Sequence, residues 1–312
     1  MASNINPAQR IKVGTRGSRL ALTQTRLYCE RLSDQNPSLE FEIVEIQTSG
    51  DRFQERPTED VLRMAGKGIF VKEIEEALLR GDVDFAVHSL KDMPGDLPDG
   101  LLLCGYQPRG DPRDALVTFG RKDIADLPNG ARVGSSSLRR RFQLIGLMKA
   151  LGKTVEVLPV RGNLDTRVTK ALKGELDAVI VSAAGLRRLG LIEHAVKLFD
   201  PSLEMIPPCG QGILTAEISA ARADLFEILS TVEDHPTRLS GELERRVLKA
   251  MGGGCLDALG IYARPRAEEP GAMELHLYRH SGQPGEEDLL RTSLVVRAQD
   301  TESLFEKLTP RQ

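Results

Sequence analysis

Residues 84–94 read DFAVHSLKDMP and change character within a few positions. The run 85–87 is apolar and strand-like. His88, Ser89, Lys91 and Asp92 then supply an imidazole, a hydroxyl, a cation and a carboxylate, and Pro94 with Gly95 stops any regular element. Open α/β sheets place their chemistry just outside the carboxyl ends of their strands, where such a polar run would lie. Because Lys91 and Asp92 are adjacent, one backbone presents a cation and a proton acceptor together. A Lys-Asp pair in a solvated loop looks the same, so its meaning depends on the residues it is found with.

The second signal is arginine at helix starts. Arg16 and Arg19 flank Ser18, and Arg139, Arg140 and Arg141 follow the serines at 135–137. Arg161 precedes Gly162 and Asn163, Arg167 lies a turn further on, and Arg187 and Arg188 follow the apolar run ending at Ser182. All of them mark the same end of a βα unit, so they are expected to converge. The net charge of -3 argues against a general nucleic-acid surface. A focused arginine cluster suits a small ligand with several carboxylates or phosphates, held by bidentate pairs. Phosphate-loop signatures are absent, since AGKGIF (65–70) and CGQGIL (209–214) both lack the required glycine spacing, and no Ser-His-acid order or H-E-x-x-H is present.

Cysteine chemistry rests on Cys255. None of Cys29, Cys104, Cys209 and Cys255 is in C-x-x-C spacing, so neither a zinc knuckle nor a redox pair is indicated and no metal is expected. Cys29 falls in a helical pattern and Cys104 in an apolar run, whereas Cys255 follows Gly252, Gly253 and Gly254 as an exposed thiol. His276 and His280 stand in a strand-like segment and read as surface histidines.

The elements that must position these groups repeat. A strand at 11–15, a helix opened by Ser18 and running to about 32, a strand at 41–47, a helix at 69–80 stopped by Gly81 and the strand at 85 form one set. A strand end at 132–134, a helix opened by the serines, a strand at 155–160, a helix capped by Asn163 and stopped by Gly174, and a strand at 177–182 form another. VGTRGSRL (13–20) matches VGSSSLRR (133–140), and GDVDFAVHS (81–89) matches GELDAVIVS (174–182), which reads as one βαβ plan used twice. Two such lobes would point helix N-termini and strand ends into a shared cleft. Residues 49–66 read as a long lid or binding loop. Residues 209–212 form a turn between lobes, and 213–221 read as a helix packing back on the first lobe. From about 234 a helix with Leu239, Leu243, Val247 and Met251 as its stripe leads to strands near 259–263, 273–279 and 292–298 and a last helix near 303–308. The expected domains are therefore 1–110 with 210–232, then 111–209, then a small C-terminal α+β domain, 233–312. The 312 residues, 40% hydrophobic and 28% charged, are enough for these cores. No stretch approaches the roughly 18 apolar residues of a membrane span, and no secretory or import leader is visible, so a cytoplasmic protein is expected.

Taken in order, HSLKD (88–92), GSSSLRR (134–140), RGNLDTR (161–167), AGLRRLG (184–190), GQG (210–212) and GGGC (252–255) resemble the porphobilinogen deaminase (hydroxymethylbilane synthase) family, from residue 11 to the end. The resemblance implies two lobes similar to periplasmic binding proteins with a cleft between them and a third domain. It implies a transferase of tetrapyrrole (heme-type) biosynthesis that joins four porphobilinogens head to tail, losing ammonia each time, into linear hydroxymethylbilane. A dipyrromethane cofactor would hang from Cys255 by a thioether, and Asp92 would be the catalytic carboxylate. Arg16, Ser18, Ser89, Lys91, Ser137, Arg139, Arg140, Arg161, Arg167, Arg188 and Gln211 match groups that hold cofactor and substrate. Phe70 matches an aromatic near the cofactor and Lys67 a lid-side cation. The expected partner is porphobilinogen alone, with no nucleic acid or membrane, on a monomer. One departure is Leu256 to Gly260 after the cysteine, where the family often carries a short polar run with a proline.

The implied chemistry agrees with the residues. Each pyrrole carries two carboxylates, so a growing chain needs many arginines. Losing ammonia leaves an electron-poor azafulvene cation that a fixed carboxylate stabilises, and the same carboxylate can carry protons in each cycle. The competing reading is a non-enzymatic two-lobed binder of a small polyanion. It would use the same arginines but gives no role to Cys255 or to a carboxylate beside an anion site.

Overall fold

The structure is a computed structural model of the chain and describes residues 10–49, 71–252, 258–280, 290–297, 300 and 304–305. The chain divides into two compact units, Met1–Arg109 with Ile213–Leu239 and Gly110–Gly212 with Ser240–Gln312.

In the first unit β1 (Ile11–Arg16) runs into α1 (Arg19–Gln35). Ser18 is extended and caps α1 by accepting the Ala21 N–H at 3.3 Å, as its place in the sequence suggests. β2 (Phe41–Ile46) lies parallel to β1, α2 (Lys72–Arg80) ends at left-handed Gly81, and β3 (Phe85–Ser89) returns parallel on the other side of β1. β4 (Leu101–Cys104) forms the far edge, and β10 (Leu214–Ser219) inserts between β3 and β4, antiparallel to both. Tyr28, Cys29 and Leu32 of α1 pack with Phe85, Val87, Leu214, Ala216 and Ile218 on one face, and α2 covers the other through Ile74, Ala77 and Leu78.

β10 corrects the reading of 213–221 as a helix. Leu214, Ala216 and Ile218 enter the α1 core while Thr215 and Glu217 take the opposite face, and both edges are paired. Leu, Ala and Glu favour helices in isolation, but Leu214 to Ser219 alternates apolar and polar residues strictly, which is the period of a strand and the signal that decides here. Its pairing partner β4 was given no element by the sequence, and neither was β5 (Asp114–Thr118) of the second unit.

The second unit repeats the first. β6 (Ala131–Gly134), α3 (Leu138–Ala150), β7 (Val155–Leu158), α4 (Leu164–Leu172), β8 (Ala178–Ser182), α5 (Ala183–Arg188) and β9 (Lys197–Leu198) join β5 in a sheet of order β7-β6-β8-β5-β9. The first sheet has the order β2-β1-β3-β10-β4, with the same pattern of parallel and antiparallel neighbours. The sequence repeat has a physical cause at two points. Asp84 accepts the Lys12 N–H at 2.8 Å, and Asp177 accepts the Arg132 N–H at 2.7 Å, each aligning the third strand on the first. A Cβ on Gly14 would come 3.1 Å from Val83, and one on Gly134 would come 2.7 Å from Leu176, so the Val-Gly pair is needed where strand and core meet. Asn163 precedes α4 as expected but makes no side-chain cap bond.

α6 (Ala223–Ser230) completes the first unit, and the unit boundary falls within α7 (His235–Ala250). Leu243, Val247 and Met251 of the expected stripe are buried, whereas Leu239 is 41% exposed. Left-handed Gly252 follows the helix. β11 (Ala258–Pro265), β12 (Ala272–His280) and β13 (Leu290–Arg297) form an antiparallel meander. His276 and His280, expected at the surface, are buried. β12 is central and covered on both faces: Leu275 and Leu277 meet the α7 core, while Tyr278 packs with Ile206, Tyr262 and Phe142. His280 stacks on Phe142 with ring centroids 3.9 Å apart, and His276 Nδ1 lies 2.7 Å from Ser293 Oγ. Burial pushes the His276 imidazole down, against the pull of Glu274.

Candidate functional site

β3 delivers His88 and Ser89, and the chain then tightens into a 3-10 turn, Leu90–Asp92, anchored by the Leu90 N–H on the Ile213 carbonyl at 3.0 Å. Ser89 is buried, Lys91 half-buried and Asp92 exposed. Arg16, Ser18, His88, Ser89 and Asp92 line one pocket at the ends of β1 and β3 and the start of α1, with Val71 and Ile74 among its apolar walls. A guanidinium, two hydroxyls and a helix N-terminus are donors for carboxylates. Asp92 is the one carboxylate among them, placed to meet a cation or exchange a proton.

In the second unit the arginines meet differently from the expected convergence. Arg139 is 3% exposed and donates to Asp114 Oδ2 at 2.7 Å and to the Ile206 carbonyl at 2.7 Å. Arg140 donates to Asp114 Oδ1 from Nε at 3.0 Å and Nη2 at 2.8 Å, and its Nη1 reaches the Ile180 carbonyl. Gln211, fully buried, donates to the same carboxylate at 3.1 Å and to the Pro112 carbonyl at 2.8 Å. Burial alone would push the Asp114 carboxyl up, but the two guanidiniums and the Gln211 amide bring it down to about 2. Burial likewise pushes the Arg139 guanidinium down, against the attraction of Asp114.

The other expected residues of this unit make local contacts of their own. Ser137 caps α3, its Oγ accepting the Arg140 N–H at 3.4 Å. Arg167 donates to the Gly162 carbonyl at 2.8 Å, and its guanidinium is pushed down by burial and then by neighbouring Arg140. Arg188 donates to the Gly212 carbonyl at 2.7 Å, and Arg161 is exposed. Lys67, Phe70, Cys255 and nearly all of 49–66 lie outside the described residues.

Sequence reasoning missed Asp114 and Glu244. The signal for Asp114 was available, as an acid opening the apolar run DALVT. Glu244 is buried and accepts the Gly210 N–H at 2.6 Å and the Ala263 N–H at 2.8 Å, tying the Gly-Gln-Gly turn to β11, and only the fold reveals that. Among the described residues no group of three or more His, Cys, Asp or Glu is placed to hold a metal ion, and no helix is long and apolar enough to cross a membrane.

Comparison with known proteins bears on the same residues. Residues 11–227 match the family described as porphobilinogen deaminase, dipyromethane cofactor binding domain. The chain is 45% identical over 258 residues to the porphobilinogen deaminase of Syntrophus aciditrophicus (strain SB), covering 83% of this chain and 82% of that protein. It is 38% identical over 297 residues to the porphobilinogen deaminase of Sulfurimonas denitrificans, covering 95% and 91%. A family match over most of the chain, and relatives at this identity over most of their length, establish that the chain belongs to the porphobilinogen deaminase family.

Proposed function

We propose that the chain carries out hydroxymethylbilane synthesis with Asp92 as its acid–base carboxylate and with its dipyrromethane primer on Cys255. The family reaction makes it a transferase of tetrapyrrole biosynthesis whose substrate is porphobilinogen. The observation that carries the assignment of roles is the pocket that exposed Asp92 lines together with Arg16, Ser18 and Ser89.

Arg16, Ser18, Ser89 and Lys91 bind and orient the substrate carboxylates, which brings the aminomethyl group toward Asp92. Asp92 holds the proton that leaves with the amine, offsets the cation formed on the substrate, and takes the proton released from the attacking pyrrole carbon. Water competes for that cation, and the apolar walls at Val71 and Ile74 limit its access.

The residues fit the cofactor by donor chemistry. Arg140, Arg161, Arg167 and Arg188, with Ser137 and Gln211, would hold its carboxylates, Lys67 and Phe70 would lie beside it, and Arg139 acts through Asp114 to orient Arg140. When bound, the dipyrromethane supplies a tethered nucleophilic pyrrole carbon, which makes each addition a reaction of held partners. Cys29 and Cys104 are poor attachment points, because burial pushes both thiols up to about 12. Cys209 is buried as well. The same reading has the enzyme working in the cytoplasm as a monomer, on a small molecule rather than nucleic acid or membrane. The polyanion-binder reading explains neither a carboxylate in the pocket nor the family match.

Intact mass tests the assignment. Active protein should weigh more than its sequence by two pyrrole units, with discrete further increments on adding porphobilinogen. Cys255→Ala should lose both the extra mass and the activity. Wild-type protein of bare sequence mass that still makes hydroxymethylbilane, or an adduct on another cysteine, rules it out.

A further inference from the structure

Behind the pocket, β3, β10 and α2 bring three titratable side chains together. His88 Nε2 lies 3.0 Å from a carboxylate oxygen of Glu217, and Glu75 of α2 feels the charge of both. Glu217, His88 and Glu75 are 0%, 6% and 8% exposed. The His88–Glu217 contact is short enough for an ion pair but poorly aligned for a hydrogen bond. Nε2, both Glu217 carboxylate oxygens and Glu75 Oε1 have no hydrogen-bonding partner. Buried polar atoms are satisfied in the large majority of cases, so four such atoms in one cluster need a reason. Packing does not supply one. Glu217 faces Ala86 across the ladder, beside the apolar contacts of α2, where a hydrophobic side chain would be at least as stable.

The cluster's position suggests what it does. His88 lines the pocket itself, Ser89 is the next residue, and Asp92 lies one 3-10 turn beyond. A shift in the His88 backbone moves both.

We propose that His88 is a positioning residue for this pocket, seated by Glu217 and Glu75, and that the charge on Glu75 sets the field at the end of β3. This rests on the reading of the pocket as the place of porphobilinogen chemistry. Burial pushes the Glu75 carboxyl up to about 7, Glu217 adds to this, His88 opposes it and Glu76 adds a little. Glu75 therefore gains a negative charge as pH rises through about 7. Glu76 acts on Glu75 from the same helix, and Arg16 of β1 and Asp92 of the 3-10 turn are the charged groups lining the pocket that His88 also lines. An added negative charge beneath the pocket favours the cation formed when ammonia leaves, so turnover should rise across that range.

The test uses the full chain carrying its primer, assayed for hydroxymethylbilane formation on both sides of neutrality. Glu75→Gln should lose the rise in kcat near pH 7. This variant should fold at least as well as the wild type, since it removes a carboxyl whose ionisation burial opposes. His88→Asn should lower kcat by about 10- to 100-fold with KM within about twofold, the pattern of misplaced reacting groups rather than lost substrate binding. A Glu75→Gln profile that superimposes on the wild type overturns the proposal even if His88→Asn does not fold. So does a folded His88→Asn with wild-type kcat. Failure of the wild-type chain to make hydroxymethylbilane would instead remove the reading of the activity.

Discussion

Asp114→Asn separates the roles of the fold and the ligand in the arginine cluster. One carboxylate accepts four hydrogen bonds, from Arg139, twice from Arg140, and from Gln211. Asparagine keeps the shape and one acceptor, but its NH2 must face a guanidinium, and the second buried guanidinium loses its counter-charge. Removing one partner of a buried pair costs about 3–5 kcal/mol, a large share of a typical domain's 5–15 kcal/mol. The depressed carboxyl gives a second figure of similar size. A carboxyl held at about 2 instead of 3.8 contributes about 2 kcal/mol to stability. The folded value is depressed, so the contribution is complete above the unfolded value of 3.8 and is lost as pH falls through about 2. Urea unfolding should therefore place Asp114→Asn several kcal/mol below the wild type at neutral pH. The gap should narrow once pH drops below about 4. The chain has no tryptophan, so far-ultraviolet circular dichroism is the suitable probe. A loss under about 1 kcal/mol, or a gap that stays constant into acid, would refute the view of Asp114 as the charge that holds these arginines.

Four further substitutions test the assigned roles. Asp92→Asn should lower turnover by about 3–4 kcal/mol of barrier while the extra mass of the primer is retained in at least part of the protein; near-normal turnover excludes Asp92 from the chemistry. Arg161→Leu should weaken primer assembly or raise KM, because an exposed guanidinium that holds a ligand carboxylate is lost. Arg121→Leu, which removes only a bond to the Glu193 carbonyl, should leave kinetics unchanged, and equal effects at the two positions would argue against a localised anion site. Cys104→Ala should leave primer mass and activity in place, as expected of a buried thiol in β4.

The sequence alone determined what depends on neighbours along the chain. Ser18 and Ser137 cap helices because a short hydroxyl next to a helix start can reach its free N–H groups, and Gly81 closes α2 because only glycine takes the left-handed turn cheaply. The twofold use of one βαβ plan was legible for the same reason: the short motifs around Gly14 and Asp84 recur, in the same order, around Gly134 and Asp177. HSLKD showed where the polar end of β3 would lie. What the sequence could not show is what distant segments do to one another. β10 is a strand with β3 and β4 pairing both its edges; its apolar–polar alternation lay in the sequence, but its two partners did not. His276 and His280 are buried because α3 and the segment around Ile206 cover a sheet face that alternation alone assigns to solvent. Arg139 and Arg140, equivalent in sequence to any arginines at a helix start, became partners of Asp114 only when β5 came to lie beside β8. Local hydrogen bonding acts over a few residues and so leaves a mark in the sequence. Strand pairing and the neutralisation of buried charge act across the chain and are settled only when the tertiary structure forms.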